Sequence, residues 1–216
     1  MQGYAAGHDT AFAQSRECYQ ELEDWLASED AAGLQHCELE EQLGTRGREL
    51  LRQLFQDRLD VSAAREVRCR DVAGEDGVVR TRAERGRTRP LMTKFGQVTV
   101  TRIAYRSPGR PNVHPADAAL NLPEEKHSHG LRRLTAVEAA RGSMEDAQAA
   151  VTRATGVRIG KRQLECSATR WLGTSASRWV GMTGDGKGPA GGAGGALWCS
   201  GCRGGGRVVV VSRSRG

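Results

Sequence analysis

The chain has 216 residues, enough for one or two compact domains, and no apolar run approaches the roughly 18 residues needed to cross a bilayer. Residues 1–14 carry neither a basic nor an apolar region of the secretory type. The six cysteines (Cys18, Cys37, Cys69, Cys166, Cys199 and Cys202) are too scattered for a disulfide framework, so a cytoplasmic, reducing setting without membrane contact is expected. The net charge of +6 hides an asymmetry: residues 1–60 hold 13 acidic and 5 basic side chains, residues 61–216 hold 13 and 27. That polarity implies an acidic module joined to something that meets a polyanion. Because 28 of the 32 basic residues are Arg, whose codons are rich in G and C, codon bias is a competing source of the charge.

In chain order, residues 10–30 read as a helix, with Phe12, Cys18, Tyr19, Leu22, Trp25 and Leu26 at helical spacing and Gly33 as its break. A longer helix is predicted from about residue 38 to 67. Leu39, Leu43, Leu50, Leu54 and Val61 form its stripe, widened by Leu51, Phe55 and Leu59, and Glu38, Glu40 and Glu41 suit its positive end. Residues 1–70 are therefore expected as an acidic helical hairpin, either simply packed or used for dimerisation. After turn-rich residues 71–77 the period falls to two, and residues 78–110 read as a basic β-hairpin turning at Phe95–Gly96. Val98 and Val100 share one face, Ile103 and Tyr105 the other, which calls for a bulge or strong twist near Arg102; Pro90 places the first strand at an edge.

Residues 111–127 read as an extended, Pro-rich connector. Residues 128–171 follow as short helices. Ser128 caps one through Ala140, Ser143 opens a second through Arg153, Gly156 stops it, and a third starts near Lys161. The last two form a helix-turn-helix-like unit whose basic residues Arg158, Lys161, Arg162 and Arg170 suit contact with phosphates and guanine edges; an ordinary helical hairpin with solvated cations fits the same pattern. Lys94, Arg102 and Arg106 are the hairpin's candidate contacts to a DNA backbone, against an edge protected by charge as the other reading. Residues 172–216 hold 14 of the 28 glycines and are expected to be disordered. The fold class is thus α+β, mainly α.

Three smaller motifs carry less. His127 and His129 lack a third ligand, so a helix start is the better reading. Cys199 and Cys202 have no partner pair. Gly181–Gly188 nearly matches a phosphate-binding loop, yet Gly188 replaces the hydroxyl residue and the Gly-rich stretch after it cannot form the helix such a loop needs.

Several strings taken together resemble the Kra-type insertion-sequence transposases: residues 95–105 (Phe-Gly-x-Val-Thr-Val-Thr-Arg-Ile-x-Tyr), residues 115–123, residues 128–134, the stretch from Glu138 to Gln163, and the acidic helical segment from Glu38 to Leu51. The resemblance covers roughly residues 10–165 and implies a DNA-transposing enzyme with a ribonuclease-H-like domain in which carboxylates hold two divalent ions such as Mg²⁺. It also implies double-stranded element ends as partner, with self-association or pairing with full-length transposase as further partners. Asp185, in Asp-Gly-Lys-Gly, resembles the family's first catalytic carboxylate, and no Asp or Glu follows it. The expectation is therefore a DNA-binding front portion, inactive alone and needing no cofactor itself, with a non-catalytic regulator of transposition as the alternative. A reading-frame change near residues 166–189 would account for the tail's composition.

Overall fold

The computed structural model describes residues 10–164 and 209–210. The amphipathic N-terminal stretch forms α1 (Ala13–Leu26), a single-turn α2 (Glu29–Ala32) and α3 (His36–Ala64). The predicted helix over residues 10–30 is broken because the Ser28 side chain accepts from the Ala31 N–H, restarting a helix whose first turn carries Glu29 and Asp30. At the next start, Gln35 and Glu38 form a reciprocal capping box.

The pair α1 and α3 is antiparallel. The Ser15 N–H donates to Asp57 Oδ2 at 3.0 Å, Gln53 Nε2 donates to Gln14 at 2.7 Å, and at the other end the Arg46 guanidinium lies 4.3 Å from the centre of the Trp25 ring. Burial between the two is incomplete: Tyr19, Leu26, Leu43, Leu51 and Leu54 remain exposed.

The second half of α3 packs on an antiparallel hairpin, β2 (Arg82–Thr93) and β3 (Gly96–Arg106). The register runs from Arg82 opposite Arg106 to Thr93 opposite Gly96, so Lys94 and Phe95 form the turn. Val98 and Val100 join Leu59 and Leu91 in one core cluster, while Ile103 and Tyr105 join Val72 and Val113 in another, as the alternation predicts. The shift between faces is absorbed where Arg85 and Gly86 together face one residue of β3. Gly86 has φ +74°, a conformation costly for any side chain. The irregularity expected near Arg102 thus sits on the opposite strand. Side chains cover the free edge of β3: Gln56 both donates to the Thr99 carbonyl and accepts from its N–H, and Glu66 accepts from the Ile103 N–H.

The connector is tied down rather than simply extended. Val113 exchanges both backbone hydrogen bonds with Tyr105, Pro115 starts the five-residue α4 (Pro115–Ala119), and Met92 of β2 bonds Lys126 and Ser128. Two-residue strands β1 (Val72–Ala73) and β4 (Val209–Val210) also pair. Then α5 (His129–Ala139) and α6 (Met144–Thr155) enclose a third core cluster of Leu131, Ala147, Val151, Val157, Ile159 and Leu164, with Met92 packed against it from the hairpin. Each large apolar side chain so buried contributes about 1.5–3 kcal/mol, so this small unit carries its own core. The molecule is α+β and mainly helical. No helix among the described residues is long and apolar enough to cross a membrane.

Candidate nucleic-acid interface

The helix-turn-helix-like unit follows from local chemistry. The Ser128 hydroxyl accepts from the Leu131 N–H and the Ser143 hydroxyl from the Asp146 N–H, fixing both helix starts. Gly156, with φ +68°, ends α6 in the left-handed conformation. From there the chain runs with alternating burial: Val157 and Ile159 point into the core, Arg158 and Gly160 outward. The Gln148 amide holds the turn by donating to the Ile159 carbonyl, and residues 161–164 turn helical again, anchored by fully buried Leu164. Alternation and anchoring together leave Arg158, Lys161 and Arg162 exposed within five residues.

Lys161 is engaged across the turn by Glu145, in the first turn of α6. The Lys161 ammonium holds the Glu145 carboxyl below the usual carboxylate range. Asp146 is likewise occupied, accepting from the Ser143 hydroxyl at 2.7 Å. Arg153, in the last turn of α6, is exposed beside the same turn. It was not among the predicted contacts, although its place one turn before a glycine stop was readable. Arg170 and Asp185 lie outside the described residues, as do the Cys199–Cys202 pair, the near phosphate loop and, apart from Val209 and Val210, the Gly-rich segment.

The hairpin is less available to DNA than its nine cations suggest. Arg102, expected as a backbone contact, is buried: its guanidinium comes within 2.8 Å of Asp117 on α4, and only 8% of the residue is exposed. The reason is register, since Arg102 falls on the face that already buries Val98 and Val100, so a solvent-facing role is withdrawn. Burial pushes its pKa below the ordinary Arg value, and Asp117 opposes that shift. Arg80 is buried against Asp76, and Arg89 donates to the Pro123 and Glu125 carbonyls while lying 3.7 Å from Asp117. Arg106 is exposed but shares Glu84 with Arg87, at 2.8 and 3.0 Å. Lys94, at the hairpin tip, is exposed and lies along Gly130 in the first turn of α5. Of the three hairpin residues predicted to meet DNA, one is therefore buried, one is shared with a carboxylate, and one stands beside the helical unit.

Nothing here gathers metal ligands: among the described residues, no group of three or more His, Cys, Asp and Glu could hold an ion. His127 is half-buried in a bridge with Met92, and Ser128 between the two histidines is the helix cap. The geometry offers exposed cations around a helix start. No protein-family model and no curated protein matches the chain.

Proposed function

We propose that these residues are the DNA-binding front portion of an insertion-sequence transposase, acting in the cytoplasm and gripping the duplex ends of the mobile element. One observation carries the reading: Arg158, Lys161 and Arg162 project from a turn and helix start whose intervening residues Val157, Ile159 and Leu164 are locked into a core. Cations on a rigid frame lose little freedom when they engage a phosphate or a guanine edge. In this reading the helix starting at residue 161 enters the major groove, and Arg158 contacts the flanking backbone. DNA cleavage is not assigned to these residues, because Asp185 is followed by no Asp or Glu up to Gly216 and metal-assisted strand transfer needs several carboxylates.

The test is a fluorescence-anisotropy titration of the chain against an element-end duplex and a random duplex at several salt concentrations. Binding that weakens steeply with salt is expected, and the Lys161→Glu, Arg162→Glu double variant loses more affinity for end DNA than for random DNA. Absence of salt-sensitive binding by the unaltered chain would refute the reading. A second reading, a non-catalytic regulator of transposition, draws on the exposed Leu43, Leu51 and Leu54 of α3, an apolar face another copy or a full-length relative could cover. Suppression of an intact relative's strand transfer on mixing favours that reading, and no effect counts against it.

A further inference from the structure

We propose that the acidic N-terminal module supplies a DNA-backbone contact of its own, in which Arg48 of α3 acts together with Lys94 at the hairpin tip to hold phosphates beside the helix-turn-helix-like unit. The inference rests on the DNA-binding reading above.

Three glycines mark where the parts of the molecule meet. At Gly156, the end of α6, the side chain nearest the space a Cβ would fill is Arg48, whose Nε is 3.7 Å away. At Gly96, the first residue of β3, it is Arg52, whose Cδ is 3.1 Å away. At Gly130, in the first turn of α5, it is Lys94, whose Cε is 3.4 Å away. Arg48 and Arg52 are four apart and share one face of α3. That face, the hairpin tip, the start of α5 and the end of α6 therefore converge.

Arg52 is neutralised there: it donates to both Glu49 carboxylate oxygens, at 2.8 and 2.9 Å through Nε. Arg48 instead donates to the Thr45 hydroxyl at 3.1 Å and forms no ion pair among the described residues. Lys94 sits over the Phe95 ring at 5.9 Å and has no carboxylate partner among the described residues. Exposed Arg153 and Arg158 flank Gly156 on the chain itself. The nearby acids are taken, Glu49 by Arg52, Glu145 by Lys161 and Asp146 by the Ser143 cap. What remains is a group of uncompensated cations from three chain segments, next to the turn that leads into the residue-161 helix. A guanidinium and an ammonium placed to the side of that helix suit phosphate oxygens, which fix position without reading sequence.

The experiment is the salt dependence of duplex binding by the whole chain. Each lost phosphate contact lowers the slope of log affinity against log salt by about 0.9. Arg48→Ala and Lys94→Ala are each expected to lower it by about that much, the double variant by about twice as much, with equal losses on end and random duplexes. Arg48→Lys restores the slope, and Arg65→Ala, at the far end of α3, leaves it unchanged. A steep unaltered slope that neither Arg48→Ala nor Lys94→Ala reduces overturns this proposal alone. So does an equal fall in Arg65→Ala, which would mean net charge and not position. A flat slope for the unaltered chain sinks the DNA-binding reading as well. Circular dichroism melts establish that each variant is folded.

Discussion

The ion pair of Arg102 and Asp117 makes an asymmetric prediction, because its two halves differ in burial and in company. The Arg102 side chain is 9% exposed, Asp117 23%, and although they approach to 2.8 Å, neither Arg102 Nε nor Asp117 Oδ1 has a well-directed hydrogen bond. Asp117→Ala leaves a buried guanidinium with no carboxylate against it. Breaking a buried pair from one side costs roughly 3–5 kcal/mol, and partial exposure of Asp117 with poor alignment brings the expectation to about 2–3 kcal/mol. For a domain of this size that moves the urea midpoint down by about 1–2 M, at a denaturant slope near 1.5–2 kcal/mol/M. Arg102→Met, by contrast, removes the costly charge, fills similar volume and leaves Asp117 with Arg89 at 3.7 Å. It is expected to stay within about 1 kcal/mol of the parent in either direction. Urea titrations followed by circular dichroism compare the two. Arg102→Met costing as much as Asp117→Ala would refute the reasoning. Arg102→Met that folds normally but loses duplex binding would put Arg102 back among the DNA contacts.

Two further outcomes follow from the same geometry. Glu145→Gln frees Lys161 for phosphate, so duplex affinity by anisotropy should rise about two- to fivefold, as expected for releasing an exposed pair; a fall would show that Glu145 positions Lys161 instead. Burial pushes the imidazoles of His114 and His127 below their ordinary pKa near 6.5, helped by Arg102 beside the first and Arg132 beside the second. The fold therefore prefers both rings neutral. Their contribution to stability is complete above about pH 6.5 and is lost as pH falls through the depressed folded values. The thermal midpoint should be lower at pH 5.5 than at pH 7.5, and the difference should shrink in a His114→Asn, His127→Asn double variant; an undiminished difference assigns the pH effect to other groups.

What the sequence made legible was local. Ser128, Ser143 and Gly156 mark helix ends through hydrogen bonds and torsions set within a few residues, and the structure places caps and stop where they stand. The two faces of β3 were readable for the same reason, since alternation is a property of one strand. The bulge was legible only as a need. Its address, Arg85–Gly86, depended on pairing across the hairpin, although a lone glycine in a strand pattern was its signal. The break at Ser28 could have been found too, from a serine followed by two acids. The roles of the arginines could not. Arg80 meets Asp76 and the Pro111 carbonyl, Arg89 reaches Pro123 and Glu125, and Arg132 pairs with Glu125, all fixed by how the connector folds back.

That fate of the arginines bears on how much accessible positive surface the charge count implies. From residue 61 onward basic residues exceed acidic ones by fourteen, yet Arg80, Arg102 and Arg132 are buried and Arg89 is turned to backbone carbonyls. Arg80, Arg89 and Arg102 tie hairpin to connector, Arg132 ties α5 to it, and side chains so engaged would not release counterions on binding, so they add nothing to salt dependence. Of the remaining cations, Arg153, Arg158, Lys161 and Arg162 lie around the turn after α6, and Arg48 and Lys94 approach it from α3 and the hairpin tip. An acidic module contributes one of them, so the division into an acidic helical part and a basic DNA-facing part describes composition better than surface. Position in the fold, and not total charge, decides which arginines can meet a phosphate.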